Sequence, residues 1–272
     1  MKNKSETKHP FIFATISGKG GVGKSVASVN IADTLRLLGY RVAIIDADPG
    51  LSNCATLLNE QVDHTVMQWV QNNCDMEDLL LDCGGLTLIT GSDEPGLTGQ
   101  EIELLMEAMD QILVSLDSKF DIIVIDTPAG SGDLCLWALD RARLGMMILV
   151  DEPTAITDIY RLCKYILGID PTYPLASIIN FAENESNAEN IQQRFNTILH
   201  YFMKQEVKYL GFLPSSSEIR ESVQKQTPVT RLHPKSLLIR ELEYIAHNML
   251  NNAPEIPLQQ DHPTESTNVK SQ

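Results

Sequence analysis

Eight residues near the start of the chain carry its strongest chemical signal: Gly18-Lys19-Gly20-Gly21-Val22-Gly23-Lys24-Ser25. Their spacing satisfies G-x-x-x-x-G-K-[ST] between an expected strand and an expected helix. Glycines let the backbone curl so that successive N–H groups point inward at an anion. A helix starting at Lys24 adds the partial positive charge of its N-terminus. Lys24 supplies a mobile cation for the β and γ oxygens of a nucleoside triphosphate. The Ser25 hydroxyl suits Mg²⁺, a hard cation that prefers oxygen. Gly18 to Val26 are therefore the expected contacts of ATP. Lys19 is a second lysine inside the same loop, and it repels Lys24 unless anions lie between them. It is either solvated or reaches the phosphates of a second nucleotide across a dimer interface, in the logic of an arginine finger.

Three carboxylates fit the same pocket. Asp46 and Asp48 follow one apolar run, and Asp126 ends another. In an open parallel sheet, ligands bind outside the C-terminal ends of the strands. A carboxylate placed there can hold Mg²⁺ directly or through water, or orient an attacking water. Each of the three could instead cap a turn or a helix.

The elements that must position these residues are legible as apolar runs. Strands are expected at 11–17, 41–45, 86–90, 121–125, 146–150, 175–180 and 207–213. Helices are expected at 24–38, 100–116, 154–167, 187–204, 216–225 and 235–250. The strands are continuously apolar rather than alternating, which means burial on both faces. Strands alternating with helices predict an α/β fold, a mostly parallel sheet of the P-loop NTPase type flanked by helices on both faces. Residues 1–10 are polar and expected to be a flexible N-terminus. Residues 11–250 form the expected ATPase domain. Residues 251–272 are rich in Pro, Asn, Gln, Ser and Thr and are expected to be a disordered tail.

Composition narrows the function. The 272 residues carry 21 Lys plus Arg against 36 Asp plus Glu, a net charge of −15. That balance argues against a broad surface for the DNA backbone. No run approaches the ~18 apolar residues of a membrane span, and a cytoplasmic protein is expected. Cys54, Cys74, Cys83, Cys135 and Cys163 are odd in number and contain no C-x-x-C pair, so buried reduced thiols are expected. The six histidines are scattered without metal spacing. Trp69 and Trp137 lie in apolar helical stretches and read as packing residues.

Taken together, these motifs resemble the deviant-Walker-A ATPases of the MinD/ParA family over residues 11–250. The marks are Lys19-Gly-Gly-Val-Gly-Lys24-Ser25, then Asp46-Ala-Asp48-Pro-Gly50, then Asp126-Thr-Pro-Ala-Gly130. The resemblance implies that Lys19 contacts phosphate in the partner subunit of an ATP-sandwich homodimer. It implies that Asp48 orients the hydrolytic water, with Lys19, Lys24 and Asp48 as the catalytic set. Ser25, Asp46 and Asp126 would form the Mg²⁺ site. Asn180 would read the adenine base, and Leu213-Pro214 would line the same pocket. The family follows that asparagine with a basic residue, whereas this chain has Phe181. Asp158 would brace Lys19 at the dimer seam.

Within the family, Ser28-Val-Asn-Ile-Ala32, Glu152 to Asp158, Ser217 to Pro228 and Pro234-Lys-Ser236 look most like the FlhG/FleN regulators of flagellar number and placement. That resemblance implies an FlhF-type GTPase or a basal-body protein as partner, at the cytoplasmic membrane or cell pole. The first ten residues lack the D-Q-A-x-x-L-R segment by which FlhG stimulates FlhF. The helix expected at 235–250 mixes Lys235 and Arg240 with Glu241 and Glu243, so anionic lipid gains little from it. Its stripe of Leu238, Leu242, Ile245 and Met249 is expected to pack in the core. Positioning of other cargo and a non-hydrolysing ATP-binding protein are the alternatives. An iron–sulfur carrier of this family would need a C-x-x-C, which is absent.

Overall fold

The computed structural model describes residues 9–50 and 52–252. The central strands form where apolar residues run almost without interruption. β1 (Phe11–Ile16) feeds the glycine loop and then α1 (Lys24–Leu37), which Gly39 terminates in a left-handed conformation, φ 93°. β2 (Val42–Asp46) follows. After it come α2 (Asn53–Leu58), α3 (Val66–Val70), a single 3₁₀ turn at Met76–Leu79, β3 (Leu81–Asp82) and β4 (Thr87–Thr90). Next are α4 (Gly99–Ser115), β5 (Ile122–Asp126), α5 (Asp133–Arg141), β6 (Leu144–Leu149) and α6 (Pro153–Ile169). The chain continues through β7 (Leu175–Ala182), α7 (Glu185–Met203), β8 (Lys208–Pro214), α8 (Ser217–Gln224), α9 (Val229–Leu232) and α10 (Leu238–Asn251).

The strands form one sheet in the order β3-β4-β2-β5-β1-β6-β7-β8. Every neighbouring pair is parallel except the short β3–β4 edge. Alternate strand residues feed two cores. Phe13, Ile44, Val124 and Met146 pack with α1 and α10 on one face. Ile16, Ile45, Ile125 and Met147 pack with α4, α5, α6 and α7 on the other. This is why the strands read as continuous apolar runs. The fold is the doubly covered parallel α/β sheet that the alternation predicts.

Some elements were not anticipated. α2 and α9 are too short to show an apolar stripe, and α3 and α5 were expected only as apolar helical stretches around Trp69 and Trp137, without bounds. α3 is instead fixed locally, by a capping box in which Thr65 and Gln68 exchange side-chain and backbone hydrogen bonds. Next to the expected start of the domain, His9 pairs with Asp117 at 2.8 Å and Pro10 is buried. Residues 1–8 of the expected N-terminus and 253–272 of the expected tail lie outside the described residues. Leu238, Leu242, Ile245 and Met249 are all buried, and α10 packs on α1 and β8. Its apolar stripe is spent inside the molecule. Among the described residues, no helix is long and apolar enough to cross a membrane.

A buried ion pair ties α1 to α9. Asp33 is fully buried, and its carboxylate accepts hydrogen bonds from Arg36 (2.8 Å), from Arg231 (2.6 and 3.0 Å) and from the Thr230 hydroxyl. Burial pushes the carboxyl up, but the hydrogen bonds from Arg231, Arg36 and Thr230 outweigh it and hold it below the usual carboxylate range. Removing one partner strands the others, so Asp33→Ala should cost about 3 kcal/mol or more. A group depressed in the folded state stabilises above its unfolded pKa of about 4 and loses that effect as pH falls through the folded value. Urea denaturation should therefore show a constant gap between wild type and Asp33→Ala from pH 7 to about 4. Below that, the gap should narrow. A gap that narrows near neutrality would contradict this assignment.

Candidate phosphate and metal site

The glycine loop spans the C-terminal end of β1 and the start of α1, where strand ends and a helix N-terminus converge. Gly23 is the residue before the helix and has φ 87°. A Cβ there would stand 2.3 Å from the Asn180 side-chain nitrogen. Gly18 is fixed by a different contact: a Cβ there would stand 2.3 Å from the backbone nitrogen of Ile159. The loop is thus wedged between the second turn of α6 and the end of β7. Only glycine fits at these two points.

Asp126, at the end of β5, is the hub of the site. It is fully buried and accepts from Lys24 Nζ (3.0 Å), Ser25 Oγ (2.6 Å), Ser28 Oγ (2.8 Å) and the Cys54 thiol (3.7 Å). Lys24 is itself buried. Desolvation works against its charge, but the Asp126 carboxylate beside it wins and raises its pKa.

Asp46, at the end of β2, pairs in register with Asp126. Its carboxylate accepts from the backbone N–H groups of Asp48 (3.2 Å) and Cys54 (3.0 Å). Burial, together with the neighbouring Asp126 charge, pushes the Asp46 carboxyl up to about 7. Two buried carboxylates this close call for a cation between them. The donors are hydroxyl and carboxylate oxygens, which suit Mg²⁺. Asp46, Cys54 and Asp126 offer ligand atoms within 4.8 Å of one another. The Cys54 thiol is driven well above its ordinary pKa by burial and by both carboxylates, so it stays protonated and is a poor ligand. Asp48 is half-buried on the loop after β2. Burial raises its carboxyl, against the pull of Lys24.

The loop and Asp48 border a cleft of about 490 Å³, whereas Asp46 and Asp126 are buried behind it and are not part of its lining. Its lining includes Lys19, Gly23, Lys24, Ser25, Val26 and Asp48 from the expected set, together with Phe181 and Val223. Other expected residues sit differently. Asn180 is 4% exposed and is not part of the cleft lining. Its nitrogen donates to the Val22 carbonyl (2.8 Å) and its oxygen accepts from the Phe181 N–H (3.0 Å). Leu213 is buried in the core, and Pro214 pairs with Ala182 in the sheet. Lys19 is half-exposed and its ammonium meets Glu152 at 2.8 Å and Thr154 at 3.5 Å. Asp158 instead accepts from Arg161, one turn further along α6. Within one chain, Glu152 rather than Asp158 is the partner of the loop's second lysine.

Sequence reasoning missed the roles of Ser28, Glu152, Phe181 and Val223. Ser28 carried a usable signal, because it lies four residues after Lys24 and so shares its helical face. Glu152 carried none, since it is 133 residues from Lys19.

Comparison with known proteins gives the family. Residues 8–250 match the family model described as "ParA: NUBPL iron-transfer P-loop NTPase". The chain belongs to the ParA/MinD family. It is 31% identical over 235 residues to the antiactivator FleN of Pseudomonas aeruginosa, covering 84% of this chain and 82% of that protein. It is 29% identical over 251 residues to the flagellum site-determining protein YlxH of Helicobacter pylori, covering 90% and 82%. Among solved structures, it superposes on MinD of Pyrococcus horikoshii in complex with Mg-ADP with a TM-score of 0.72. That match has 19% identity and covers 90% of this chain and 97% of that one. The MinC:MinD complex of Aquifex aeolicus gives a TM-score of 0.70 at 22% identity, covering 92% and 98%. The structural likeness speaks to the ParA/MinD fold. The sequence likeness to FleN and YlxH places the chain beside flagellar members of the family.

Proposed function

We propose that this chain is an ATP hydrolase that works as a dimerisation switch and controls flagellar number or placement. The observation that carries the switch is the pairing of two lysines with opposite fates. Lys24 is buried against Asp126, while Lys19 is half-exposed on the rim of the same cleft, held by a solvated ion pair to Glu152 and a long hydrogen bond to Thr154. A surface pair of this kind contributes little, so Lys19 can exchange Glu152 for the phosphates of a second subunit. The flagellar assignment is supported by the likeness to FleN and YlxH.

The residues divide the work. The loop's N–H groups and Lys24 bind and orient the triphosphate. Ser25 and Asp126, with Asp46 behind them, would hold Mg²⁺, in part through water. The ion offsets charge on the phosphate oxygens when bound. Asp48 orients a water for in-line attack on the γ-phosphorus. Lys19 of the partner adds the last positive charge, so turnover waits on dimerisation and stays slow. Iron transfer, named in the family model, finds no C-x-x-C in this chain to hold a cluster.

Size-exclusion chromatography with light scattering tests the switch. ATP should convert wild type from monomer to dimer, ADP should not, and Lys19→Ala should stay monomeric in both. A wild type that is monomeric with ATP would remove the switch. A Lys19→Ala protein that dimerises like wild type would remove the role of that lysine.

A further inference from the structure

Phe181 sits where burial rules do not want it. It follows the buried Asn180 and precedes the buried Ala182 near the end of β7, yet it is 51% exposed. The cause is local. The β7–β8 register shifts between Asn180 and Ala182, and Phe181 takes φ 59°. A left-handed conformation is unfavourable for a bulky residue and persists where its surroundings impose it. Here the Asn180 carboxamide imposes it, bonded at one end to the Phe181 N–H and at the other to the Val22 carbonyl of the loop. The ring is thereby turned out of the sheet and over the cleft. Its Cζ stands 3.6 Å from the point where a Cβ on Gly23 would lie. Val223 of α8, 39% exposed, lines the same cleft.

We infer that Phe181 is the platform on which the nucleobase stacks, with Val223 as a second apolar contact. The inference rests on the proposed nucleotide site and adds its base subsite. The phosphate cradle fixes one end of the ligand at Gly20 to Ser25. Phe181 lies on the rim of that cradle, so the base of a bound nucleotide is the group placed to reach it. The Asn180 amide is buried and tied to the loop through the Val22 carbonyl, so the exposed contact the base meets here is the ring face. Stacking on an aromatic face tolerates different bases, because every base has a π-face.

Isothermal titration with Mg-ATP and with Mg-tripolyphosphate separates the base from the phosphates. Phe181→Ala should weaken ATP binding about tenfold or more while leaving tripolyphosphate within about twofold of wild type. Phe181→Tyr should restore ATP affinity. An alanine variant that binds ATP as wild type does would overturn the stacking role. So would equal losses for ATP and tripolyphosphate, which would mean that the loop itself had collapsed. The proposed nucleotide site has its own failure mode: a wild type that binds neither ligand overturns both readings.

Discussion

Lys24→Ala should lose nucleotide binding and, separately, lose stability. The two losses have one origin. Asp126 is fully buried and its main cationic partner is Lys24, 3.0 Å away. Removing the ammonium leaves a buried carboxylate beside Asp46 with only hydroxyl and thiol donors. Breaking a buried pair by deleting one partner costs about 3–5 kcal/mol. The triphosphate meanwhile loses the one buried cation of its cradle. Deleting a single pre-organised donor of this kind costs about 100-fold or more in turnover. Steady-state phosphate release and urea denaturation, run on the same preparation, read the two effects. Lys24→Ala combined with Asp126→Asn should recover part of the stability, because the stranded charge goes with its partner, and should recover none of the turnover. If the double variant is as unstable as Lys24→Ala alone, the Lys24–Asp126 pair is not what the fold depends on here.

The parts of this molecule that could be read from the sequence are those whose signal is local. The glycine loop announces itself because nine consecutive residues, Gly18 to Val26, build the cradle from backbone and one helix start. The sheet announces itself because β2 and β5 are buried on both faces and so are apolar at every position before their final aspartate. Asp46 and Asp126 were placed correctly at strand ends because each terminates such a run.

What escaped depends on tertiary geometry. The Lys19–Glu152 pair joins the loop after β1 to the start of α6, and no spacing rule spans that distance. Asp158 was expected to brace Lys19, but within a single chain it faces along its own helix toward Arg161. Asn180 was expected to present an amide to the base; in this structure its nitrogen donates to the Val22 carbonyl of the loop, 158 residues away in the chain. Phe181 is a hydrophobic residue in a hydrophobic strand. Only the register shift against β8 shows that it points out of the core. The stripe on α10 shows the converse: its helical spacing is local, so it was expected to pack in the core, and all four stripe residues are buried.

Asp48→Ala should separate binding from chemistry more cleanly than any other substitution. Asp48 lines the cleft but makes no side-chain bond to the Lys24–Asp126 hub, and its backbone N–H, which bonds Asp46, survives the change. The fold and the metal carboxylates should therefore be untouched, with denaturation midpoints within ~0.5 kcal/mol of wild type, the range for positions away from packed features. Nucleotide affinity should change little, since the loop and Lys24 remain. Turnover should fall about 100-fold or more, because an unoriented water loses the pre-organisation that in-line attack requires. With hydrolysis blocked and Lys19 intact, ATP should hold the dimer rather than release it. Light scattering would then show a dimer that persists for hours in ATP, where wild type decays to monomer as ATP is consumed. Loss of turnover without a persistent dimer would place Asp48 in assembly rather than in orienting water. Unchanged turnover would move the water-orienting role to another group in the cleft. The prediction discriminates because a residue that acts only on the attacking water should alter a rate and a lifetime while leaving an affinity and a stability alone.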